Sequence, residues 1–282
     1  MDGTSTATPA LTPLTGTIGA LVEGVDLSST IKPQTGQFLN DALAAHVVLL
    51  FRNQTLTPDR LLKAASIFGP PMEQHYSQYR MPEFPTIGVL SSRDAELRPD
   101  GSPILLGTES WHTDHTNHAR PPKATILYAL SVPPRGGDTS FANMREAYAR
   151  LPDVQKSSLG YLRTVNTLDT HVPARNADRK KYATPAIHPL VRTHPENGTK
   201  ALYFHPTKAK RIDGLPTTDS REFLERLLDQ VIEPEIVYRH NWQPGDVIIC
   251  DNRAALHQAH ADYDPAEGRL LHRVIVEGDV PI

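Results

Sequence analysis

Cysteine is almost absent from this sequence, which has one residue of this type, Cys250, in 282. A lone cysteine cannot form an internal disulfide, so a disulfide-rich secreted framework is excluded. Cys250 ends the apolar run VIIC, which predicts a buried small hydrophobe and fits a reducing compartment. The sequence also lacks an apolar run near the ~20 residues of a membrane span, and its first residues do not resemble an export signal. We therefore expect a cytoplasmic protein.

An excess of charge of one sign is also missing. The sequence has 29 Lys and Arg against 32 Asp and Glu, with a net charge of −3. Its basic residues are scattered, so we expect neither a nucleic-acid surface nor an anionic membrane surface. A small-molecule partner is expected instead, and self-association into a homo-oligomer is left open.

The pattern along the chain favours one mainly β domain. Residues 1–12 are rich in Thr, Pro, Ala and Ser without periodicity, which predicts a flexible tail. Residues 13–282 are predicted to form a single domain, in which short apolar runs and turn signals indicate a sandwich or barrel with peripheral helices. Residues 70–110 show little regular pattern, and a connection of this length is usually functional, so we predict a lid or active-site wall.

Three local signals predict individual elements. Thr57 precedes a proline and a helical run, which predicts a helix over TPDRLLKAASIFG. Asn197-Gly198 between two β-like runs predicts a hairpin. Asp219 and Glu222 have the spacing of a capping box before a helical apolar pattern.

The stretch WHTDHTNHARPP, residues 111–122, concentrates side chains that can bind metals. His112 and Asp114 lie two residues apart, so both would project from the same face of an extended strand. A structural hydrogen-bonded pair is the alternative for these two residues. His115 and His118 are predicted to be lid or structural residues.

The segment DNRAALHQAHADYDP offers two candidates for a third metal ligand, His257 and His260. Two histidines and one carboxylate on one side of a metal leave the opposite positions open, which suits iron(II) chemistry with oxygen. The preceding Asp251-Asn252-Arg253 is predicted to be a turn that positions the next strand without direct chemistry.

Four separated segments resemble the taurine dioxygenase family of iron(II)- and 2-oxoglutarate-dependent oxygenases. They are HTD at 112–114, RGGDTSFANM at 135–144, QPGDVIICDNRAALHQA at 243–259 and RLLHRV at 269–274. The likeness is collinear from about residue 12 to residue 282, and four motifs in order are far more specific than any one alone. The resemblance implies a double-stranded β-helix, or jelly roll, with the metal inside one open end.

By this resemblance His112, Asp114 and His257 are the iron ligands. His257 is preferred to His260 because it has the family's distance from DNR. Related halogenating enzymes have a small residue at the position of Asp114, so the carboxylate favours hydroxylation.

The resemblance also implies that Thr139 and Arg269 hold the distal carboxylate of 2-oxoglutarate and that Arg273 reaches the substrate's anionic group. The sequence supports both roles, because Arg269 and Arg273 lie four residues apart on a predicted strand and share a face. Two interior cations are costly unless each meets an anion. A planar guanidinium is well suited to a carboxylate.

Two replacements predict a substrate other than taurine. Lys208 aligns with an aromatic residue that lines the taurine pocket, and Thr108 replaces an asparagine on the substrate side. In the predicted lid, His75, Tyr76 and Tyr79 are polar aromatic residues suited to closing over a small ligand. A surface loop with aromatic anchors is the alternative for these three.

Together these features predict an Fe(II)- and 2-oxoglutarate-dependent dioxygenase that uses O2 to hydroxylate a small anionic molecule. The expected substrates are sulfonates, aryloxy or alkyl carboxylates and amino-acid-like compounds, with cleavage of a C–X bond where the hydroxylated carbon bears a heteroatom. Two other classes remain open. A zinc-dependent hydrolase could use the same three ligands but has no use for the arginine pair, and a non-catalytic ligand-binding jelly roll needs none of the ligands.

Overall fold

The computed structural model of the chain describes residues 8–93, 109–168 and 174–282. Over these residues the secondary structure is mainly β with a few helices, as predicted. The strands are β1 (Ala10–Pro13), β2 (Ala20–Glu23), β3 (Val48–Phe51), β4 (Arg80–Met81), β5 (Phe84–Ser91), β6 (Ala124–Ser131), β7 (Thr139–Asn143), β8 (Arg163–Asn166), β9 (Ala186–Pro189), β10 (Val191–Thr193), β11 (Lys200–Leu202), β12 (Ala209–Ile212), β13 (Val237–His240), β14 (Val247–Asp251), β15 (Ala255–Ala259) and β16 (Leu270–Val276). The helices are α1 (Pro33–His46), α2 (Pro58–Ala65), α3 (Met144–Ala149), α4 (Asp153–Leu159), α5 (Asn176–Lys181) and α6 (Thr217–Val231).

The largest sheet has eight strands in the order β1-β2-β3-β14-β6-β16-β5-β4. Its central strands are buried on both faces, which explains continuous apolar runs such as VLLF in β3 and VIIC in β14. On the outer face, Leu39 of α1 and Leu61 of α2 pack with Val274 of β16 in one apolar cluster. The helices therefore cover the side of the sheet that faces away from the site described below.

A second sheet, β13-β7-β15, faces the inner side of the large sheet. Phe141 of β7 and Ala255 of β15 belong to one buried cluster with Leu127, Ile248 and Leu271 of the large sheet. This cluster is the shared core of two facing sheets, as in a β-sandwich. Two smaller sheets, β12-β8-β9 and β10-β11, lie outside this pair. The sheets of the described residues do not close into a barrel.

Most local predictions match the structure. The predicted helix after Thr57 is α2, and Asn197-Gly198 lies in the loop that joins the antiparallel strands β10 and β11. The capping box at Asp219 is wrong, because α6 begins at Thr217 and its N-cap residue is Pro216, which makes no side-chain cap. The helix therefore starts after a proline, whose fixed φ angle suits a helix start.

The predicted segment boundaries need one correction. Strand β1 begins at Ala10 and pairs with β2, so residues 10–12 belong to the sheet and not to the tail. Residues 80–91 of the predicted lid form the antiparallel pair β4 and β5, and residues 94–108 lie outside the described part, so the lid stays a prediction. Cys250 is buried, as expected. In the described residues, no helix has both the length and the apolar character needed to cross a membrane.

Candidate active site

His112 and His257 lie opposite each other on two short extended segments. The N–H of His112 donates to the carbonyl oxygen of His257 at 2.9 Å, and the reciprocal hydrogen bond measures 2.7 Å. The predicted strand through Asp114 is wrong, because a turn begins at that residue and His115 has a φ of +50°. The backbone pair nevertheless anchors the WHTD stretch beside β15.

This arrangement brings the three predicted iron ligands together. One donor atom from each of His112, Asp114 and His257 lies within 4.8 Å of the other two, and all three residues are buried. The Oδ2 atom of Asp114 is 4.0 Å from Nε2 of His257. Nδ1 of His112 is 2.9 Å from the carbonyl oxygen of Ser110, to which it must donate, so Nε2 is left as the acceptor nitrogen.

Electrostatics keep these groups in the protonation states that metal ligation requires. Burial lowers the pKa of His112 to about 3 and also lowers the pKa of His257, so both imidazoles are neutral. Burial raises the pKa of Asp114, but the positive charge of Arg273 and the hydrogen bond from the Thr125 hydroxyl act in the opposite direction, and that pKa is held below its usual range. Two neutral imidazoles and one carboxylate form a donor set that suits iron(II).

Thr139 and Arg269 form a second buried feature of the site. Arg269 donates from Nε to the carbonyl oxygen of Gly137 at 2.8 Å and from Nη2 to Oγ1 of Thr139 at 3.3 Å. Nε1 of Trp242 also donates to Oγ1 of Thr139, at 3.0 Å. With two donors on its oxygen, the Thr139 hydroxyl has its own hydrogen left to donate.

Arg269 lacks an anionic partner in the part of the chain that the structure describes, where no carboxylate lies within 4.0 Å of its guanidinium. Burial lowers its pKa, which reflects the cost of holding this charge away from water. A buried cation beside a hydroxyl donor is an arrangement that an incoming carboxylate would satisfy.

Arg273 lies on β16, and Arg269 directly precedes that strand, with Leu271 between the two arginines in the shared core. Its Nη1 atom is 3.4 Å from Oδ1 of Asp114. Its Nε and Nη2 atoms donate to Oε1 of Gln74 at 3.1 and 2.9 Å, while the Gln74 amide donates to the carbonyl oxygen of Thr86 at 2.9 Å. Gln74 therefore holds the guanidinium in place beside the candidate metal ligands.

A second group of histidines lies near Arg273. One ring nitrogen from each of His75, His115 and His118 lies within 4.8 Å of the others. Nε2 of His75 contacts Nε2 of His118, and the rings of His75 and His115 stack with centroids 3.4 Å apart and an interplanar angle of 12°. Burial lowers the pKa of all three, and the positive charge of Lys208 adds to the effect, so the three imidazoles are neutral.

The geometry of these histidines suits an anion better than a metal ion. Stacked imidazoles direct their in-plane lone pairs along nearly parallel planes, so those of His75 and His115 converge poorly on one ion. Lys208 and Arg273 both act electrostatically on these two rings. Two nearby cations oppose the binding of a metal cation and favour an anion.

The remaining predicted substrate residues lie at different depths. Lys208 is buried and acts electrostatically on His112 and His257. Tyr76 and Tyr79 are half-buried, with ring centroids 6.2 Å apart. Thr108 lies outside the described residues.

The alternative third ligand, His260, is not part of the metal-binding group. Its Nε2 atom lies 2.8 Å from Oγ of Ser140 on the neighbouring strand. Among the described residues, His257 is therefore the histidine of this segment that joins His112 and Asp114.

Sequence reasoning missed several residues of the site. The ring of His205 lies 5.4 Å from that of His112, and its only signal was its position three residues before Lys208. Thr125 donates a hydrogen bond to Asp114, and Asn252 donates one to Thr125. The DNR segment, which contains Asn252, was predicted to have no direct role. Nothing in an apolar strand such as ATILYALS distinguishes a threonine that contacts a metal ligand from one that fills the core.

Comparison with known proteins gives one family across the chain. Residues 10–275 match the family described as taurine catabolism dioxygenase TauD, TfdA family. The alkylsulfatase of Acinetobacter baylyi is 36% identical, over 95% of this chain and 84% of that protein. The alpha-ketoglutarate-dependent sulfate ester dioxygenase of Pseudomonas putida is 33% identical, over 96% of this chain and 90% of that protein. The crystal structure of AAD-2 with Mn(II) and N-oxalylglycine is 27% identical with a TM-score of 0.81, covering 98% of this chain and 99% of that one.

Proposed function

Because this chain belongs to the taurine catabolism dioxygenase TauD, TfdA family, we propose that it oxidises a small sulfate ester. It is an alpha-ketoglutarate-dependent dioxygenase that uses Fe(II), 2-oxoglutarate and O2. His112, Asp114 and His257 are the proposed iron ligands. The observation that carries this assignment is the buried convergence of their donor atoms. The two facing sheets support a double-stranded β-helix, with the metal site between them.

Iron held by these three residues would supply the oxidative chemistry, in which decarboxylation of 2-oxoglutarate is coupled to the insertion of an oxygen atom into a substrate C–H bond. Arg269 and the hydroxyl of Thr139 are proposed to bind the distal carboxylate of 2-oxoglutarate. Burial strengthens this charged hydrogen bond and makes it directional. The same contacts would orient the 2-oxo acid end of the cosubstrate toward the metal ligands.

The substrate side of the site supports an anionic head group. Arg273 is proposed to bind it, with N–H donors from His75, His115 and His118 nearby. Lys208 adds positive potential, and Tyr76 and Tyr79 are proposed to close the pocket. Such a wall of donors and cations matches a tetrahedral oxyanion, and the alkylsulfatase and sulfate ester dioxygenase relatives favour a sulfate ester.

The proposed outcome is cleavage of the ester C–O bond. Hydroxylation of the carbon that carries the sulfate oxygen gives an unstable intermediate, which collapses to an aldehyde and sulfate. One 2-oxoglutarate and one O2 are consumed, and succinate and CO2 are released with the two substrate fragments. The protein's own task is to hold the head group so that this carbon lies beside the iron position.

The test is a substrate screen under aerobic conditions with Fe(II) and 2-oxoglutarate. Hexyl sulfate, hexanesulfonate, phenoxyacetate and an N-acyl amino acid are compared, with succinate, sulfate and aldehyde measured together. We expect hexyl sulfate to give equal amounts of all three products, and His112→Ala to give none. Succinate stimulated by phenoxyacetate but not by hexyl sulfate would contradict the sulfate ester assignment. Sulfate release by zinc-loaded protein without 2-oxoglutarate would identify a hydrolase instead.

A further inference from the structure

A chain of two hydrogen bonds ends on the candidate iron ligand Asp114. Oγ1 of Thr125 lies 2.5 Å from Oδ2 of Asp114, and Nδ2 of Asn252 lies 2.9 Å from Oγ1 of Thr125. All three residues are at most 3% exposed, so water does not compete for these bonds. We refer to Thr125 and Asn252 as the relay.

The direction of each hydrogen bond in the relay is fixed. A carboxylate can only accept, so the Thr125 hydroxyl donates to Asp114 and its oxygen accepts from the Asn252 amide. The Thr113 hydroxyl lies 2.8 Å from the carbonyl oxygen of Asn252 and 3.4 Å from its Oδ1 atom. This places the Asn252 side-chain oxygen toward Thr113 and its nitrogen toward Thr125.

The backbone around the relay is held firmly. Thr125 lies on β6 between β14 and β16, where it is paired with Cys250 and Ile275. Asn252 follows β14 directly, and its neighbour Arg253 donates from Nη2 to Oδ2 of Asp251 at 2.7 Å. The relay therefore has little freedom to move when a ligand binds to Asp114.

The two oxygens of Asp114 have different partners. Oδ2 accepts from the Thr125 hydroxyl and lies 4.0 Å from Nε2 of His257, whereas Oδ1 faces Arg273 at 3.4 Å. With Oδ1 held by Arg273, the carboxylate presents only Oδ2, the oxygen nearer His257, to an ion between the ligands. A chelating carboxylate would occupy an extra metal position, which the cosubstrate and oxygen need.

We propose that Thr125 and Asn252 are positioning residues that hold Asp114 as a single-oxygen iron ligand and so keep a coordination position open. This inference rests on the proposed function, because it takes Asp114 as an iron ligand. It assigns a role to DNR beyond a turn. It also explains why a hydroxyl is present in the apolar strand β6, where the neighbouring residues serve the core.

The experiment compares Thr125→Val, which removes the hydroxyl at nearly constant volume, with Thr125→Ser, which restores it. Thr164→Val is the matched control, because Thr164 is fully buried on β8 and its Oγ1 accepts from Nδ2 of Asn166 at 3.0 Å. Asn252→Asp is a second variant that keeps the shape of the side chain and removes the amide donor. Each protein is measured for metal-free melting temperature, Fe(II) affinity under anaerobic conditions and the visible spectrum of its Co(II) form.

We expect Thr125→Val and Thr164→Val to lower the melting temperature similarly, since each loses a buried hydrogen bond. Only Thr125→Val should change Fe(II) affinity, by about 10- to 100-fold as for other partners of metal ligands, and shift the Co(II) spectrum toward a higher coordination number. Thr125→Ser should restore both, and Asn252→Asp should change both in the same direction as Thr125→Val.

Two results would overturn the proposal. One is an Fe(II) affinity and Co(II) spectrum in Thr125→Val that match those of Thr164→Val. The other is a failure of Thr125→Ser to restore them. If Thr125→Val does not fold, an Asn252→Asp variant with unchanged Fe(II) affinity and Co(II) spectrum would also overturn the proposal. Failure of the proposed function is distinct, because then the unaltered protein would form no succinate from 2-oxoglutarate.

Discussion

Removing the side chain of Arg269 is expected to abolish tight binding of 2-oxoglutarate while leaving the proposed iron ligands in place. The guanidinium is buried, donates to Gly137 and Thr139, and lacks a carboxylate within 4.0 Å in the described residues. In Arg269→Ala the distal carboxylate of 2-oxoglutarate would enter this pocket with only the Thr139 hydroxyl as its partner. The loss in binding free energy is therefore the cost of burying a carboxylate without its counter-ion.

The magnitude follows from measured cases of that kind. Breaking a buried ion pair by removing one partner costs about 3 to 5 kcal/mol. Because each ~1.4 kcal/mol changes a dissociation constant tenfold, binding should weaken by roughly two to three and a half orders of magnitude. Arg269→Lys should recover part of the loss, since it restores the charge but not the planar pair of donors.

Arg273→Ala is the matched comparison, because Arg273 lies four residues after Arg269 but contacts Asp114 and Gln74. It should leave 2-oxoglutarate binding nearly unchanged, raise the apparent constant for the substrate and uncouple succinate formation from product. The assay is a titration of each anaerobic, iron-saturated protein with 2-oxoglutarate, followed by the charge-transfer band of the chelate. Equal losses in the two variants would refute the division of roles, and with it the inference that the substrate carries an anion.

Two further predictions concern the histidines. His257→Ala should lose Fe(II) binding and succinate formation, whereas His260→Ala should keep substantial activity; the reverse result in the same two assays would show that the third ligand is His260. For His118, burial lowers the pKa to about 4. Between pH ~6.5 and 4 the unfolded state therefore binds more protons than the folded state. The free energy of unfolding decreases as the pH is lowered through this range, by at most about 1.4 kcal/mol per pH unit. Urea unfolding of the metal-free protein at pH 7, 6 and 5 should show a shallower fall for His118→Gln, and an identical pH dependence would contradict the reasoning.

The parts of the site that sequence could predict are those with fixed spacing or a charged side chain. His112, Asp114 and His257 carry the residue types of an iron site, and Arg269 and Arg273 must share a face wherever a strand is regular. Interior arginines are informative because their burial demands an anion. The choice of His257 over His260 and the separate roles of the two arginines rest on the family resemblance, since the residues alone leave them open.

The residues that sequence could not predict depend on contacts between distant segments. Thr125 reaches Asp114 only because β6 lies between β14 and β16. The grouping of His75 with His115 and His118 likewise depends on the turn at Asp114, where the predicted strand stops and His115 takes a positive φ. Alternation along a strand would have placed His115 on the opposite face from Asp114, and a turn does not obey that rule.

The charges around the proposed iron position show why Arg273 should select an anion. The two positive charges of iron(II) and the one of Arg269 are balanced by Asp114 and the two carboxylates of 2-oxoglutarate. Arg273 then adds a positive charge that this set leaves unbalanced, at 3.4 Å from Oδ1 of Asp114. A neutral substrate would cover this half-buried charge without balancing it, which is unfavourable. An anionic head group would draw Arg273 toward the substrate, while the Thr125 hydroxyl keeps its hold on the other oxygen of Asp114.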